Sequence, residues 1–122
     1  MPPSPQPAQA ARRYVRVAPL PKRPVEIQIM GAAFLDVLEA RDISVGGVGV
    51  NVPHGFEGCN IRAAVQVIIK LPGKKAFLAK AVVRHVNTAM CLFGVEFTDI
   101  AEGHRRDIGL YVEQMIELGR SR

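Results

Sequence analysis

Apolar and polar residues alternate with a period of two along much of this chain. The pattern starts in residues 25–30, where Val25, Ile27 and Ile29 alternate with mostly polar side chains. Successive side chains of a β-strand point to opposite faces, so this period is typical of a strand with one buried face. We therefore predict that a β-domain begins at Val25.

Five later segments repeat the pattern, which gives about six predicted strands. They are residues 34–43, 47–52, 65–71, 76–86 and 91–98. In the first of them the alternation slips around residues 37–39, as a bulge or burial on both faces would cause. Pro72-Gly73 lies between segments 65–71 and 76–86 and predicts a hairpin turn. Short strands joined by tight turns favour antiparallel pairing, and closing the sheet removes its exposed edges.

Helical spacing replaces the strand pattern near the C-terminus. Ile108, Tyr111 or Val112, Met115 and Leu118 share one stripe. Asp99 with Glu102 matches a capping box, and Gly119 can end the helix. We predict a mainly β fold: a small six-stranded antiparallel (split) β-barrel with a C-terminal α-helix and a flexible N-terminal segment.

The length of 122 residues suits one hydrophobic core but not two ordinary domains. Residues 1–11 hold four prolines among serine, glutamine and alanine, a composition that favours disorder. We predict a disordered tail over residues 1–11, one domain over residues 12–118 and a basic tail over residues 119–122. No apolar run approaches the roughly 20 residues of a membrane span, and the start lacks a secretory signal, so we expect a cytoplasmic protein without membrane insertion.

The residues expected of a catalytic or metal centre are scattered. Cys59 and Cys91 lack the C-x-x-C spacing, and none of His54, His85 and His104 belongs to an H-x-x-x-H set. The run Gly46-Gly47-Val48-Gly49 has no lysine at P-loop spacing. We therefore expect no enzyme, no metal site and no cofactor.

The net charge of +5 is concentrated near the N-terminus. Residues 1–24 carry five basic and no acidic side chains, whereas residues 25–122 carry 11 of each. A protein that coats nucleic acid usually spreads its basic residues over a folded face, so we expect no nucleic-acid partner. The arrangement suits a small polyanion held at one place, while a solvated basic tail is the alternative.

Two short motifs have complementary chemistry. Residues 12–16 read R-x-x-x-R with an extra arginine at position 13, and residues 42–47 read D-x-S-x-x-G. Arginine can grip a phosphate, stack on a base or pair with guanine O6 and N7, and a carboxylate can accept from the guanine N1 and N2 donors. Asp42 and Ser44 share one face of an extended chain, and Gly47 allows close backbone approach. In the alternative reading, Asp-x-Ser caps a turn, the glycines mark a bulge and the arginines lie along the barrel wall.

The order and spacing of these motifs resemble the start of the PilZ domain family. Val82-Val83-Arg84, Phe93-Gly94-Val95-Glu96-Phe97 and the closing helix are also similar to that family, so the resemblance spans about residues 12–118. It implies a cyclic di-GMP receptor without catalytic activity. The ligand-binding residues that it implies are Arg12, Arg13, Arg16, Asp42, Ser44 and Gly47, with Arg84 as a candidate additional contact. Ala11 stands where relatives that bind a stacked ligand dimer often have another arginine, which favours a single bound ligand.

The resemblance also suggests how such a receptor works. We expect the arginine segment, residues 12–16, to be mobile in the free protein and to become ordered over the ligand, which changes the surface offered to an effector protein. We expect a monomer or a weak dimer. One alternative is a PilZ-like adaptor that acts in pilus or motility machinery without nucleotide. A second is a small nucleic-acid-binding barrel, but the chain has no Trp, and its five Phe mostly fall at predicted core positions.

Overall fold

A computed structural model describes residues 15–31, 35–51, 61–87 and 92–120. These residues form six strands and one helix: β1 (Glu26–Met30), β2 (Leu35–Ser44), β3 (Gly47–Asn51), β4 (Ala64–Lys70), β5 (Phe77–Asn87), β6 (Leu92–Asp99) and α1 (Glu102–Arg120). All neighbouring strands are antiparallel, and the sheet closes in the order β1-β2-β3-β6-β5-β4. The predicted six-stranded barrel with a C-terminal helix is confirmed.

The barrel interior is filled by the apolar side of each strand. Ile27, Ile29 and Ile69 are fully or almost fully buried there, as their alternation with polar residues predicts. Helix α1 contributes Ile108 and Val112 to the same core, so it packs against the barrel rather than standing free in solvent. Burying a side chain of this size stabilises the fold by about 2 kcal/mol.

Strand β2 contains a bulge, but not where the sequence predicts it. Residues 35–39 pair with β1 in unbroken register, and the slip falls between Ala40 and Asp42. The predicted position of the bulge is wrong because Val37, although apolar, is 63% exposed on the outer face of the barrel. Ala40 is buried and Asp42 lies outside, so the extra residue, Arg41, reverses the alternation of the strand.

Strand β5 contains a matching irregularity. Its register with β6 shifts between Val83 and His85, which leaves Arg84 as the extra residue. Val83 is fully buried, whereas His85 is exposed. Each bulge therefore moves the next residue of its strand, Asp42 or His85, to the outer wall.

The predicted turn at Pro72-Gly73 is confirmed as part of the β4–β5 hairpin. The Lys74 amide donates to the Leu71 carbonyl oxygen at 3.1 Å. Gly73 has a φ of 76°, which the third position of a type II turn requires and which glycine adopts without strain.

The predicted start of the helix is wrong. Asp99 is the last residue of β6, and the Arg105 amide donates to the Ala101 carbonyl oxygen, so Ala101 occupies the capping position. Glu102 is then the first helical residue, too early to complete a capping box. At the other end α1 continues through Gly119 to Arg120, and Leu118 is 47% exposed rather than part of the buried stripe.

Several predictions fall on residues that the structure does not describe. They concern the tail over residues 1–11, Arg12, Arg13, Phe34, His54, Cys59 and Cys91. Within the described ranges, no helix is long and apolar enough to cross a membrane.

Candidate functional site

The two sequence motifs meet on the outer wall of the barrel. Val17 and Ile43 form an antiparallel bridge in which each amide donates to the other's carbonyl oxygen at 3.0 Å. This bridge fixes the preceding residue beside the bulge of β2. Arg16 Nη1 there donates to Asp42 Oδ1 at 3.0 Å, with side chains that are 59% and 21% exposed respectively. A residue of the first motif is thus paired with the first residue of the second.

A row of paired residues crosses four strands at the level of Asp42. Asp42 on β2 is opposite Gly49 on β3, which is opposite Gly94 on β6, which is opposite His85 on β5. The two central positions have no side chains, so the outer wall is depressed between Asp42 and His85. Together with Gly47, two residues earlier on β3, these glycines form what we call the glycine floor.

A groove of about 660 Å³ lies over the glycine floor, within the size range of small-molecule sites. It brings together the predicted residues Arg16, Asp42, Ser44, Gly47 and Arg84. Its lining also includes three polar side chains that were not predicted: Arg41, His85 and Glu96. Arg12 and Arg13, the other two predicted contacts, lie outside the described residues.

The charges around the groove are mostly arranged in pairs. Arg84 Nε donates to Glu96 Oε1 at 2.5 Å, on the side away from the Arg16–Asp42 pair. Arg41 is not paired with a carboxylate in the part of the chain that the structure describes. Three arginines against two carboxylates leave the described lining with one surplus positive charge at neutral pH. Such a lining attracts an anion and also offers carboxylate oxygens to hydrogen-bond donors.

Ser44 plays a local role in the turn between β2 and β3. Its side chain is buried, and its Oγ accepts from the Gly46 amide at 3.1 Å and donates to the Gly47 carbonyl oxygen at 3.5 Å. This geometry matches the alternative in which Asp-x-Ser caps a turn. Ser44 still lines the groove, so it shapes the site while its hydroxyl is engaged in the turn.

Helix α1 holds the same turn from the other side. Arg105 Nη1 donates to the Val45 carbonyl oxygen at 3.1 Å, across 60 residues of sequence. Gly109 of the helix faces the same turn, since a Cβ at this position would be 3.6 Å from Val45 Cγ1. The helix therefore contacts the segment that carries the second motif, a connection for which the sequence gives no signal.

The described histidines do not form a metal centre. His104 stacks on Phe77, with ring centroids 4.3 Å apart and planes 12° from parallel. His85 lines the groove at the opposite end of the row from Asp42. Among the described residues, no group of three or more metal-ligating side chains comes together.

The three residues that were missed reach the groove through bulges and through strand pairing. Arg41 is the extra residue of the β2 bulge, the β5 bulge moves His85 to the outer wall, and Glu96 reaches the groove because β6 pairs with β3. The pairing of β6 with β3 is not visible in the alternation of either strand. The one available signal was the position of Arg41 directly before Asp42.

Fold and groove together define a small closed β-barrel domain with an arginine-lined site on its outer wall. The family model for the PilZ domain matches residues 10–114. The chain therefore belongs to the PilZ domain family. Comparison with curated protein sequences finds no match.

Several solved structures share the fold. The Bacillus subtilis inhibitor of motility, MotI/DgrA, superimposes with a TM-score of 0.69 at 22% identity, covering 91% of this chain and 53% of that one. The PilZ domain of YcgR from Escherichia coli, solved with c-di-GMP, gives 0.67 at 15% identity, covering 90% of this chain and 95% of the domain. The K. pneumonia MrkH–c-di-GMP complex gives 0.72 at 14% identity, covering 91% and 55%. The chain thus spans about half the length of MotI and MrkH.

Proposed function

We propose that this chain is a non-catalytic receptor for cyclic di-GMP. The observation that carries the proposal is the Arg16–Asp42 pair at the edge of the glycine floor, because it joins the two motifs in one groove. Membership of the PilZ domain family supports it, as do the structural neighbours YcgR and MrkH, which were solved with this ligand.

The chemistry of the groove suits a ligand with two guanines and two phosphates. Asp42 offers a carboxylate to the N1 and N2 donors of guanine, and Arg16 offers a guanidinium to O6 and N7 or to a phosphate. The glycine floor lets a flat base approach the backbone closely. Arg84 adds a second guanidinium on the far side of the groove.

Arg12 and Arg13 belong to the proposal through their place in the chain. They precede Val17, whose bridge to Ile43 anchors the segment next to the groove. We assign both to the ligand phosphates and infer that the N-terminal segment becomes ordered over the ligand when they bind. The pairing of Val17 with β2 anchors the C-terminal end of this segment beside the groove.

The output of such a receptor is a change in the surface offered to an effector protein. The turn of the second motif contacts helix α1 through Arg105, so the helix is one route for that change, and the arginine segment is the other. A cytoplasmic location and a monomeric or weakly dimeric state remain predictions. We infer no catalytic step and no cofactor besides the ligand.

Titration with cyclic di-GMP, followed by calorimetry and by amide NMR, tests the proposal. Arg16→Ala and Asp42→Ala should each weaken binding by roughly 30-fold, the equivalent of about 2 kcal/mol for one charge-assisted contact. Arg23→Ala is the matched control, because it removes one exposed cation from the basic N-terminal region, residues 1–24, at a position outside the groove. The proposal fails if the unchanged protein shows neither heat nor shifted resonances at high micromolar ligand. It also fails if all three variants bind alike.

A further inference from the structure

Two arginine–carboxylate pairs line the groove. Arg16 is paired with Asp42 on one side, and Arg84 is paired with Glu96 on the other. Each pair offers carboxylate oxygens as acceptors and a guanidinium as a donor. The sequence motifs account for the first pair, but they give Glu96 no role.

The strand pairing separates the carboxylates of Asp42 and Glu96, so that each can face a different base of one ligand. Asp42 is on β2 and Glu96 is on β6, with only β3 between them. Two strand spacings amount to about 10 Å, and the two residues lie in rows that are two positions apart. Glu96 is directly opposite Gly47, so no side chain of β3 stands beside it on the floor.

A carboxylate beside a ligand phosphate is unfavourable unless it accepts hydrogen bonds from the ligand. Glu96 lines the groove with a side chain that is 51% exposed, so its oxygens can be reached. Of the groups in a cyclic dinucleotide, the guanine N1–H and N2–H edge supplies two donors for a carboxylate, whereas adenine lacks that pattern.

We infer that Glu96 is a second guanine-reading residue and that Arg84 completes its site. The groove then recognises both bases of one cyclic di-GMP molecule, the first at Asp42 and the second at Glu96. This inference rests on the proposed function and adds base selectivity at the second half of the ligand. In the competing explanation, Glu96 only holds the Arg84 guanidinium in position for a phosphate.

A hybrid ligand separates these explanations. The cyclic dinucleotide 3′,3′-cyclic GMP–AMP has the same phosphates but one adenine, so its guanine can occupy the Asp42 side and its adenine must then face Glu96. We expect the unchanged protein to bind cyclic di-GMP with about 10-fold or more higher affinity than the hybrid, the usual discrimination from one bidentate base contact.

Glu96→Gln is the decisive variant, with both ligands titrated by calorimetry. Affinity for cyclic di-GMP should fall about 10-fold, while affinity for the hybrid should stay the same or rise, because an amide can pair with adenine. The preference for cyclic di-GMP over the hybrid should therefore disappear in Glu96→Gln. Glu102→Gln, which removes one exposed carboxylate from the start of α1, should leave the preference unchanged.

Two results would overturn the inference while leaving the proposed function intact. One is an equal loss of affinity for both ligands in Glu96→Gln, as expected if Glu96 only positions Arg84. The other is an unchanged protein that binds both ligands equally well. If the unchanged protein binds neither, the proposed function fails and this inference fails with it. Amide spectra of the variant check that the barrel is intact.

Discussion

The carboxylate of Asp42 occupies the space that a side chain on Gly49 would fill. A Cβ at Gly49 would lie 2.9 Å from Asp42 Oδ1 and 3.2 Å from Oδ2. The same Oδ1 accepts the hydrogen bond from Arg16. Gly49 therefore gives the Asp42 carboxylate room to stay in the groove, although it lies outside the D-x-S-x-x-G motif.

Replacement of Gly49 by alanine should weaken ligand binding without unfolding the barrel. The atoms that a new Cβ meets are the end of a side chain, which can rotate away, and not backbone. The displaced carboxylate loses its pair with Arg16, and we expect affinity for cyclic di-GMP to fall about 10-fold or more. Calorimetry measures the affinity, and thermal melting tests the fold. Gly103→Ala is the control, since a Cβ there would have no other side chain or strand within 4 Å. Wild-type affinity in Gly49→Ala would contradict this account.

Replacement of Gly47 by alanine should instead destabilise the fold. A Cβ there would overlap the Val95 carbonyl oxygen, a backbone atom in the neighbouring strand β6 that cannot move alone. We expect the free energy of unfolding to fall by about 2 kcal/mol or more, as measured by urea denaturation. If Gly47→Ala were as stable as the unchanged protein, β3 and β6 would have to be farther apart than their pairing indicates.

The sequence is sufficient to predict the strands and their closure into a barrel, because most of the strands bury one face and alternate strictly. In residues 25–30 and 65–71 the alternating apolar positions are all buried, namely Val25, Ile27 and Ile29 in the first and Val65, Val67, Ile69 and Leu71 in the second. The failures occur where local and tertiary effects compete. Val37 fits a buried pattern but points outward, and Asp99 resembles a helix cap but ends a strand.

Prediction of the site is limited for a related reason. The motif residues Arg16, Asp42, Ser44 and Gly47 could be named because their chemistry and spacing are local. His85 and Glu96 reach the groove through strand pairing and through a bulge, which depend on the whole barrel. Ser44 shows a second limit: the structure places it in the groove lining, but the hydrogen bonds of its hydroxyl lie within the turn.

Removal of the Arg105 side chain should loosen the turn that carries the second motif. Arg105→Ala leaves the Val45 carbonyl oxygen without its charged donor, so we expect a loss of stability of about 1 kcal/mol and a severalfold loss of affinity for cyclic di-GMP. Denaturant unfolding and calorimetry measure the two effects. Arg106→Ala removes the same charge from the next, exposed position and should change neither. Equal behaviour of the two variants would show that the helix does not support the site.

Tyr111 should make the stability of the protein sensitive to alkaline pH. Burial raises the pKa of the Tyr111 phenol above its ordinary value, and the nearby positive charge of Arg23 opposes this only in part. The phenol is neutral in both states below the unfolded pKa of about 10, so its contribution to stability is fully present there. As pH rises through the folded pKa, the unfolded chain has already released the proton, and that contribution is lost.

Comparison with Tyr111→Phe isolates this effect from the titration of lysines, which both proteins share. The Tyr111 hydroxyl oxygen is buried without a hydrogen-bond partner among the described residues, so its removal at neutral pH should change stability by less than about 1 kcal/mol or increase it slightly. Between about pH 9 and pH 11, the free energy of unfolding should fall more steeply for the unchanged protein than for Tyr111→Phe. Parallel pH profiles from urea denaturation would mean that solvent reaches the phenol in the folded state.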